Sequence, residues 1–317
     1  MVEVEKIYSR LGVTFDYYQG ESFYNDKMDG ALQIAREKGI VEESDGAEIV
    51  NLDDYGMAPC LLVKSDGATL YATRDIAAAI YRKNTFDFYK CLYVVAYQQN
   101  LHFKQFFKVL ELMGFGWSKD MEHIAYGMVS LEEGPMSTRK GNYVKLSDLL
   151  DKAAEKALAI IEEKSPALQD RQDVAEKVGA GAVMFSALSN ARIKDSVFSF
   201  DKVLNFDGET CPYLQYTVAR TNSVLEKAAG GNSLDFSSCK ETAKLLNRFP
   251  SVVHEAADKR EPSVIAKYLI DLAQSYNKFY FDNKILGDNA RLMLTEAVGR
   301  VLKKGLSLLG IACPDKM

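Results

Sequence analysis

Apolar positions in the first part of the chain switch between helix-like and strand-like spacing. Residues 27–38 place apolar side chains three and four positions apart, which predicts a helix that Gly39 ends. Residues 60–63 and 69–71 are short apolar runs on either side of a turn, so we expect a β-hairpin. The continuous apolar run at 92–97 predicts a fully buried strand. This part should therefore mix strands with helices.

The order of these elements favours an α/β fold. We expect a helix with Thr73 as its N-cap, an amphipathic helix over 103–113 and a further strand over 123–129. Strands that alternate with helices are typical of parallel sheets, which bind ligands beyond the carboxyl ends of their strands. Gln99 and residues 130–142 both follow strands, so we expect them to face one crevice.

Helical spacing replaces the strand patterns in the rest of the chain. Six stretches carry apolar residues every three or four positions: 146–164, 173–192, 212–229, 239–249, 264–281 and 290–309. We therefore expect an α/β part over residues 1–145, a helical linking region over 146–204 and an all-α helix bundle over 205–317.

Composition narrows the class of protein. The chain has 317 residues, of which 47% are hydrophobic and 26% charged, and no apolar run approaches the ~20 residues of a membrane span. Its five cysteines are scattered without a CxxC pair, which argues against a zinc module and for reduced thiols in the cytoplasm. The net charge of −5 does not advertise nucleic-acid binding, although residues 205–317 carry a small basic excess.

The stretch 134–142 has the make-up of an anion-binding loop. Gly134 and Gly141 bracket two hydroxyl side chains and two adjacent cations, Arg139 and Lys140. Glycines let the backbone approach a ligand closely, and backbone N–H groups, hydroxyls and cations that converge on one point hold phosphate. A plain surface turn with solvated charges is the alternative interpretation.

This stretch resembles a family signature. Met136-Ser137 and Gly141-Asn142 stand where class I aminoacyl-tRNA synthetases have them in their KMSKS loop, while Pro135 and Thr138 replace the two lysines of that motif. The degenerate form Met-Ser-Thr-Arg-Lys-Gly is similar to the version in arginyl-tRNA synthetases. The resemblance implies the following catalytic residues: Met136, Ser137, Thr138, Arg139 and Lys140. It implies that Gly141 and Asn142 bind ATP.

Residues 70–75 are similar to the arginine-pocket segment of the same family. Tyr71 and Asp75 stand on its substrate-binding positions, and Gln99 stands where a family glutamine contacts arginine. A carboxylate beside an aromatic ring suits a guanidinium, which pairs with the acid and stacks on the ring. The alternative is that Asp75 favours its helix dipole and Tyr71 belongs to the core. His102 is a candidate for ATP binding, or else a structural histidine before a helix.

Residues 207–216 resemble the beginning of the anticodon-binding domain of arginyl-tRNA synthetases. Tyr213 and Tyr216 share a helix face, and aromatic rings on such a face can stack RNA bases. A buried aromatic stripe is the alternative. The resemblance also implies that Met317 lies close to the RNA, and Tyr276 is a further candidate on the same bundle.

Taken over the whole chain, the resemblance implies a partial Rossmann-like catalytic domain followed by an all-α anticodon-binding bundle. It implies arginine–tRNA ligation through arginyl-adenylate, with ATP and nucleotide-bound Mg²⁺. The expected partners are L-arginine and tRNA-Arg, with no membrane and no protein-held metal; the oligomeric state is left open, with a monomer as one option.

One family signature does not occur in this sequence. None of the three histidines, His102, His123 and His254, stands in a His-x-Gly-His motif. We therefore expect the C-terminal part of a longer enzyme, without the N-terminal domain and the first half of the catalytic fold, and inactive by itself. A stand-alone tRNA-binding module and an unrelated ATP-using nucleotidyltransferase are the alternatives.

Overall fold

The computed structural model describes residues 2–131, 145–229 and 234–317. The chain divides into two units, one formed by Phe15–Gly127 and the other by Met1–Thr14 with Met128–Met317. Each unit has its own cluster of buried apolar side chains. No helix in the described ranges combines the length and the apolar character that a bilayer crossing requires.

The unit Phe15–Gly127 mixes strands with helices and lies within the predicted α/β part, residues 1–145. Its elements are α2 (Met28–Glu37), β1 (Glu42–Ser44), β2 (Ala47–Val50), β3 (Cys60–Val63), α3 (Tyr71–Phe86), β4 (Cys91–Ala96), α4 (Asn100–Leu112) and β5 (Met121–Tyr126). Strands β1, β2 and β3 form an antiparallel sheet, while β4 and β5 pair in parallel over six residues. The core lies between the helices and these sheets, around Phe106 and Leu110.

The predicted hairpin is only partly formed. Thr69 makes a single bridge to Val63, and Tyr71, expected to end a strand, instead begins α3. The prediction that Thr73 caps this helix is wrong, because its buried hydroxyl donates to the carbonyl of Leu62 at 2.7 Å. A tertiary hydrogen bond to β3 thus replaces the local cap.

The prediction that β4 is fully buried is also wrong. Leu92 and Val94 are 44% and 66% exposed, whereas Tyr93 and Val95 on the opposite face pack against the core. An apolar run signals a strand but does not tell which of its faces is covered. Only one face of β4 is packed within this unit.

The second unit is mostly helical, as predicted. Its elements are α1 (Val2–Arg10), β6 (Val129–Leu131), α5 (Leu146–Lys164), α6 (Arg171–Leu188), β7 (Ser196–Phe198), α7 (Phe200–Val203), α8 (Cys211–Glu226), α9 (Lys240–Lys259), α10 (Ser263–Asp282) and α11 (Asn289–Leu308). All six helical stretches of the sequence analysis have a counterpart in this series. Strands β6 and β7 pair in parallel, and β7 contradicts the expectation of helices alone beyond residue 146.

Small residues let these helices approach one another closely. A methyl group at Gly179 of α6 would lie 2.6 Å from the backbone nitrogen of Ala154 in α5. One at Gly299 of α11 would lie 2.5 Å from the Thr221 hydroxyl of α8. Helices α8, α9, α10 and α11 together enclose the largest apolar cluster of the molecule among the described residues.

Candidate functional site

The first candidate site lies where α3 and α4 begin. Tyr71 and Asp75 are one turn apart on α3, so their side chains share a face of the helix. Gln99 directly precedes α4, and His102 lies in its first turn. The Nε2 atom of His102 lies 2.6 Å from Oδ2 of Asp75, which joins the two helix starts.

His102 orients the Asp75 carboxylate and occupies only one of its two oxygen atoms. An ionised carboxylate has no proton to give, so His102 must donate the hydrogen bond to Oδ2. Among the described residues, Oδ1 of Asp75 has no hydrogen-bond partner of its own, and the neighbouring cation Arg74 pairs with Glu21 at 2.7 Å. The arrangement leaves one negatively charged oxygen available for a cationic ligand.

Aromatic side chains pack against the His102 ring that orients this carboxylate. The His102 ring is stacked on Phe106 with centroids 5.7 Å apart, and it meets the Phe103 ring edge to face at 5.3 Å. Tyr71 is 70% exposed, so its expected alternative role in the core does not apply. A planar cation that binds Asp75 would find the Tyr71 ring one helical turn away.

The loop predicted to hold phosphate lies outside the described residues. This applies to all seven of its predicted residues: Met136, Ser137, Thr138, Arg139, Lys140, Gly141 and Asn142. In the parts of the chain that the structure describes, no group of three or more His, Cys, Asp or Glu side chains is placed to hold a metal ion.

The second candidate site is a cavity of about 550 Å³ on the helical unit. It lies between α8 and the end of α10, and Met317 closes one side of it. Its lining combines the aromatic rings of Tyr216 and Tyr280 with the basic side chains Arg220, Lys227 and Lys284. Acidic side chains are not among the described residues that line it. The predicted residues Tyr216 and Met317 therefore meet at one basic, aromatic cavity.

Arg220 lines this cavity and makes three contacts that hold its guanidinium in place. Its guanidinium carbon lies 4.9 Å from the ring centroids of both Tyr216 and Tyr280. Its Nη1 donates to Oδ1 of Asn277 at 2.5 Å, and no carboxylate pairs with it among the described residues. A guanidinium that is fixed between two rings, yet free of an acid, is prepared to bind phosphate or the edge of a base.

Tyr213 is linked to Arg220 through Asn277, which contacts both side chains. The Nδ2 atom of Asn277 donates to the Tyr213 hydroxyl and to Oγ1 of Thr217, both at 2.9 Å. These bonds fix the orientation of the amide that holds Arg220. Tyr213 is half-buried, so it supports the cavity and does not line it.

Tyr276 occupies a different environment. Its side chain is fully buried, and its hydroxyl lies 3.4 Å from Oγ1 of Thr295. Burial raises the pKa of Tyr276 to about 12. Its ring has no exposed face on which a base can stack, whereas Tyr280, one turn further along α10, has one. The sequence indicates that residues 275–280 could line the site but singles out Tyr276 within them, whereas Tyr280 is the ring that lines the cavity.

Comparisons with known proteins match both parts of the chain. A family profile described as "tRNA synthetases class I (R), catalytic domain" matches residues 1–200, and the "DALR anticodon binding domain" matches residues 214–317. The arginine–tRNA ligase of Halothermothrix orenii is 51% identical over 99% of this chain, and that of Clostridioides difficile is 48% identical over the same share. The chain spans 58% of the length of each of these two relatives.

Solved structures give the same picture. The arginyl-tRNA synthetase of Thermus thermophilus superposes with a TM-score of 0.87 at 26% identity, over 99% of this chain and 62% of that one. The arginyl-tRNA synthetase of Plasmodium falciparum also gives 0.87, at 24% identity, over 100% of this chain and 56% of that one, which supports the fold. An α/β catalytic part followed by a helical anticodon-binding domain, as expected from the sequence, is confirmed.

Proposed function

Because the chain belongs to the class I arginyl-tRNA synthetase family, we propose that it serves in the ATP-dependent attachment of L-arginine to tRNA-Arg. The observation that carries this proposal is the presence of two complementary sites in one chain. One is the oriented carboxylate of Asp75, and the other is the basic, aromatic cavity around Arg220. We place this function in the cytoplasm, in keeping with five free cysteines.

Asp75 would bind the side chain of the substrate arginine. A guanidinium offers five N–H donors, and the unpartnered Oδ1 of Asp75 accepts one or two of them. The exposed ring of Tyr71 offers a face for stacking, and Gln99 offers amide groups at the start of α4. Positive charge on the ligand is the property that this site selects.

The reaction has two steps in this proposal. The carboxylate of arginine attacks the α-phosphate of ATP, which forms arginyl-adenylate and releases pyrophosphate. A ribose hydroxyl at the end of tRNA-Arg then attacks the arginyl carbonyl and releases AMP. Arg139 and Lys140 would stabilise the departing pyrophosphate, with Mg²⁺ carried mainly by the nucleotide. His102, which donates to Asp75, fits arginine binding better than its predicted contact with ATP.

The cavity around Arg220 would receive the anticodon of the RNA. Splayed bases stack on tyrosine rings, and a guanidinium without an acid partner can bind a phosphate or a base edge. Tyr216, Arg220 and Met317 are the residues that we assign to this contact. The proposed divisions at residues 145 and 204 place them in the last of three regions, next to a helical linking region.

The RNA contact can be tested by fluorescence anisotropy with a labelled tRNA-Arg transcript. We expect Arg220→Ala or Tyr216→Ala to raise the Kd about 10- to 100-fold, because each removes a stacking or charge-assisted contact. Arg300→Ala is the matched control, since Arg300 is 78% exposed in its side chain on α11 and pairs with Glu296. Equal affinity of the chain for tRNA-Arg and for an unrelated tRNA would contradict the proposal.

The arginine site can be tested by ligand-dependent thermal shift. Arginine should raise the Tm, while citrulline, its uncharged analogue, should not, because only the cation pairs with Asp75. Asp75→Asn should weaken arginine binding about 10- to 100-fold. Asp29→Asn, an exposed carboxylate on α2, should leave binding unchanged. Equal shifts with both ligands would exclude Asp75 as the specificity-determining group.

A second candidate function is tRNA binding without catalysis. It is favoured by one observation, namely that the chain spans 58% of the length of the relatives. A pyrophosphate-exchange assay with arginine, ATP and tRNA-Arg separates the two functions. We expect binding of tRNA without exchange by this chain alone, and exchange above background would instead establish adenylate formation.

A further inference from the structure

A buried amide precedes the first residue of α8 that lines the cavity around Arg220. Gln215 of α8 is 0% exposed, and its Nε2 donates to two backbone carbonyls. One belongs to Lys177 of α6 at 3.1 Å, and the other belongs to Ala312 at 2.7 Å. The side chain therefore joins α8, α6 and the segment 311–317, which follows α11 and ends at the cavity.

The chemistry fixes the orientation of this amide. Both partners are carbonyl oxygens, which only accept, so Gln215 must present its NH₂ group to them. Its Oε1 is buried without a hydrogen-bond partner among the described residues, a cost that the two donated bonds must offset. The lack of a side chain at Gly181 leaves space for the Gln215 amide, because a methyl group there would lie 2.9 Å from the Nε2 atom of Gln215. The position is built for this side chain.

The side-chain polar contacts of residues 315 and 316 lie at the surface, whereas Ile311, Cys313 and Met317 make apolar contacts with the core clusters. Asn222 donates to the carbonyl of Asp315 at 3.1 Å, and Lys303 lies 3.3 Å from the Asp315 carboxylate. Lys316 pairs with a glutamate of α8 at 3.0 Å. Exposed ion pairs contribute little to stability because water and salt screen them. The bond from the buried Gln215 side chain to the Ala312 carbonyl is therefore the main side-chain polar contact between this segment and the bundle.

We propose that Gln215 is a positioning residue for RNA recognition. By fixing Ala312 it sets the path of the five residues that follow, and so places Met317 against the cavity that Tyr216 and Arg220 line. Gln215 precedes Tyr216 on α8, so one side chain fixes both the segment and the helix turn that carries the ring. This role rests on the proposed contact with tRNA-Arg.

A double-mutant cycle on the full chain tests the proposal. The Kd for a tRNA-Arg transcript is measured for the wild type, Gln215→Met, Met317→Ala and the double variant. We expect each single variant to weaken binding about fivefold, which corresponds to the loss of about one hydrogen bond's worth of free energy, and the double variant to be no weaker. A double variant whose loss is the product of the two single losses would overturn the proposal.

A matched control separates positioning from general loss of stability. Thr242→Val also removes a buried hydrogen bond in the same bundle, the one to Ser275 at 2.8 Å, but it does not touch the segment. It should lower the Tm by an amount similar to Gln215→Met while leaving the Kd unchanged. If Gln215→Met fails to fold, the isosteric Gln215→Glu, which cannot donate when ionised, takes its place. Equal Kd losses in the control and in the Gln215 variant would refute a positioning role.

A measurement without RNA keeps this inference separate from the proposed function. In a ¹³C-methyl spectrum of the methionines, the Met317 signal is identified by its loss in Met317→Ala. Gln215→Met should move that signal towards the value of an unstructured methionine, while Thr242→Val should not. An unmoved Met317 signal would overturn the positioning role. Failure of the wild type to prefer tRNA-Arg, with a moved signal, would instead reject the proposed RNA contact.

Discussion

Burial sets the chemistry of the cysteine thiols at the level of single residues. It raises the pKa of Cys60 to about 12 and that of Cys313 to about 11, from an ordinary value of 9.0, and it raises the pKa of Cys211 as well. A folded-state pKa above the unfolded one means that the folded protein holds the proton more tightly. The stability that follows is complete below pH 9 and is lost as the pH rises towards 12.

Removal of the Cys60 thiol should therefore lower the free energy of unfolding by less at high pH than at pH 8. We expect Cys60→Ala to destabilise the protein at pH 8, through loss of buried volume in the core. The difference from the wild type should shrink by roughly 2–3 kcal/mol by pH 11, since one pKa unit corresponds to about 1.4 kcal/mol. Urea denaturation at both pH values measures it. A difference that stays constant would show that Cys60 titrates normally.

At the residue level, the sequence shows local chemistry but not burial. Asp75 and Tyr216 were singled out by the resemblance of residues 70–75 and 207–216 to family segments, since their residue type and spacing alone left a structural role open. Tyr276 has the same residue type, but only the packing of α10 against α11 decides that it is buried. Whether a carboxylate pairs with Arg220 also depends on residues distant in sequence, so no local pattern could show that none does among the described residues.

At the level of elements, the close contact between α5 and α6 requires that residue 179 carries no Cβ atom. Gly179→Ala would place a Cβ atom 2.6 Å from the α5 backbone at Ala154, which cannot yield as a flexible side chain would. We expect a loss of about 1–3 kcal/mol in the free energy of unfolding, as for other overpacked cores. Chemical denaturation followed by circular dichroism measures this loss.

Gly30 in α2 is the matched control for this substitution. No atom lies within 4 Å of the position that its Cβ would take. Alanine is the better helix former, so Gly30→Ala should raise the free energy of unfolding by about 0.5–1 kcal/mol. Equal effects of the two substitutions would mean that helix propensity, and not the α5–α6 contact, governs both positions.

Helices were predicted better than strands for a physical reason. A helix repeats its apolar spacing over ten to twenty residues, while β6 and β7 have three residues each, too few for any period to emerge. The start of α3 was misplaced because the Thr73 hydroxyl bonds to β3, a contact that the local sequence does not encode. Tertiary hydrogen bonds of this kind override capping preference.

At the level of the whole molecule, the two units hold separate cores. Leu110 is fully buried in the cluster of Phe15–Gly127, and Leu272 is fully buried in the helical cluster. The only tryptophan of the sequence, Trp117, packs against Phe88 and Phe115 of the first unit. Tryptophan fluorescence therefore reports on that unit, while far-UV circular dichroism reports mainly on the helices of the other.

Substitution in one core should leave the other core's transition in place. Leu110→Ala should shift the denaturation midpoint seen by fluorescence, and Leu272→Ala the midpoint seen by circular dichroism, each by the equivalent of about 2–5 kcal/mol. Under the proposed function, tRNA-Arg bound at the cavity around Arg220 should stabilise the helical transition. Identical shifts of both midpoints in both variants would show a single cooperative unit.

The lack of a side chain at Gly181 has a practical consequence for protein engineering. Under the proposed function, the side chains that line the cavity around Arg220 are the ones to exchange when a different nucleotide preference is wanted. Position 181 on α6 offers no such latitude, because a Cβ atom there would lie within 3.2 Å of Cys211, Gln215 and Ile311 together. Variant libraries that aim to change the nucleotide preference should vary the residues that line the cavity and keep Gly181.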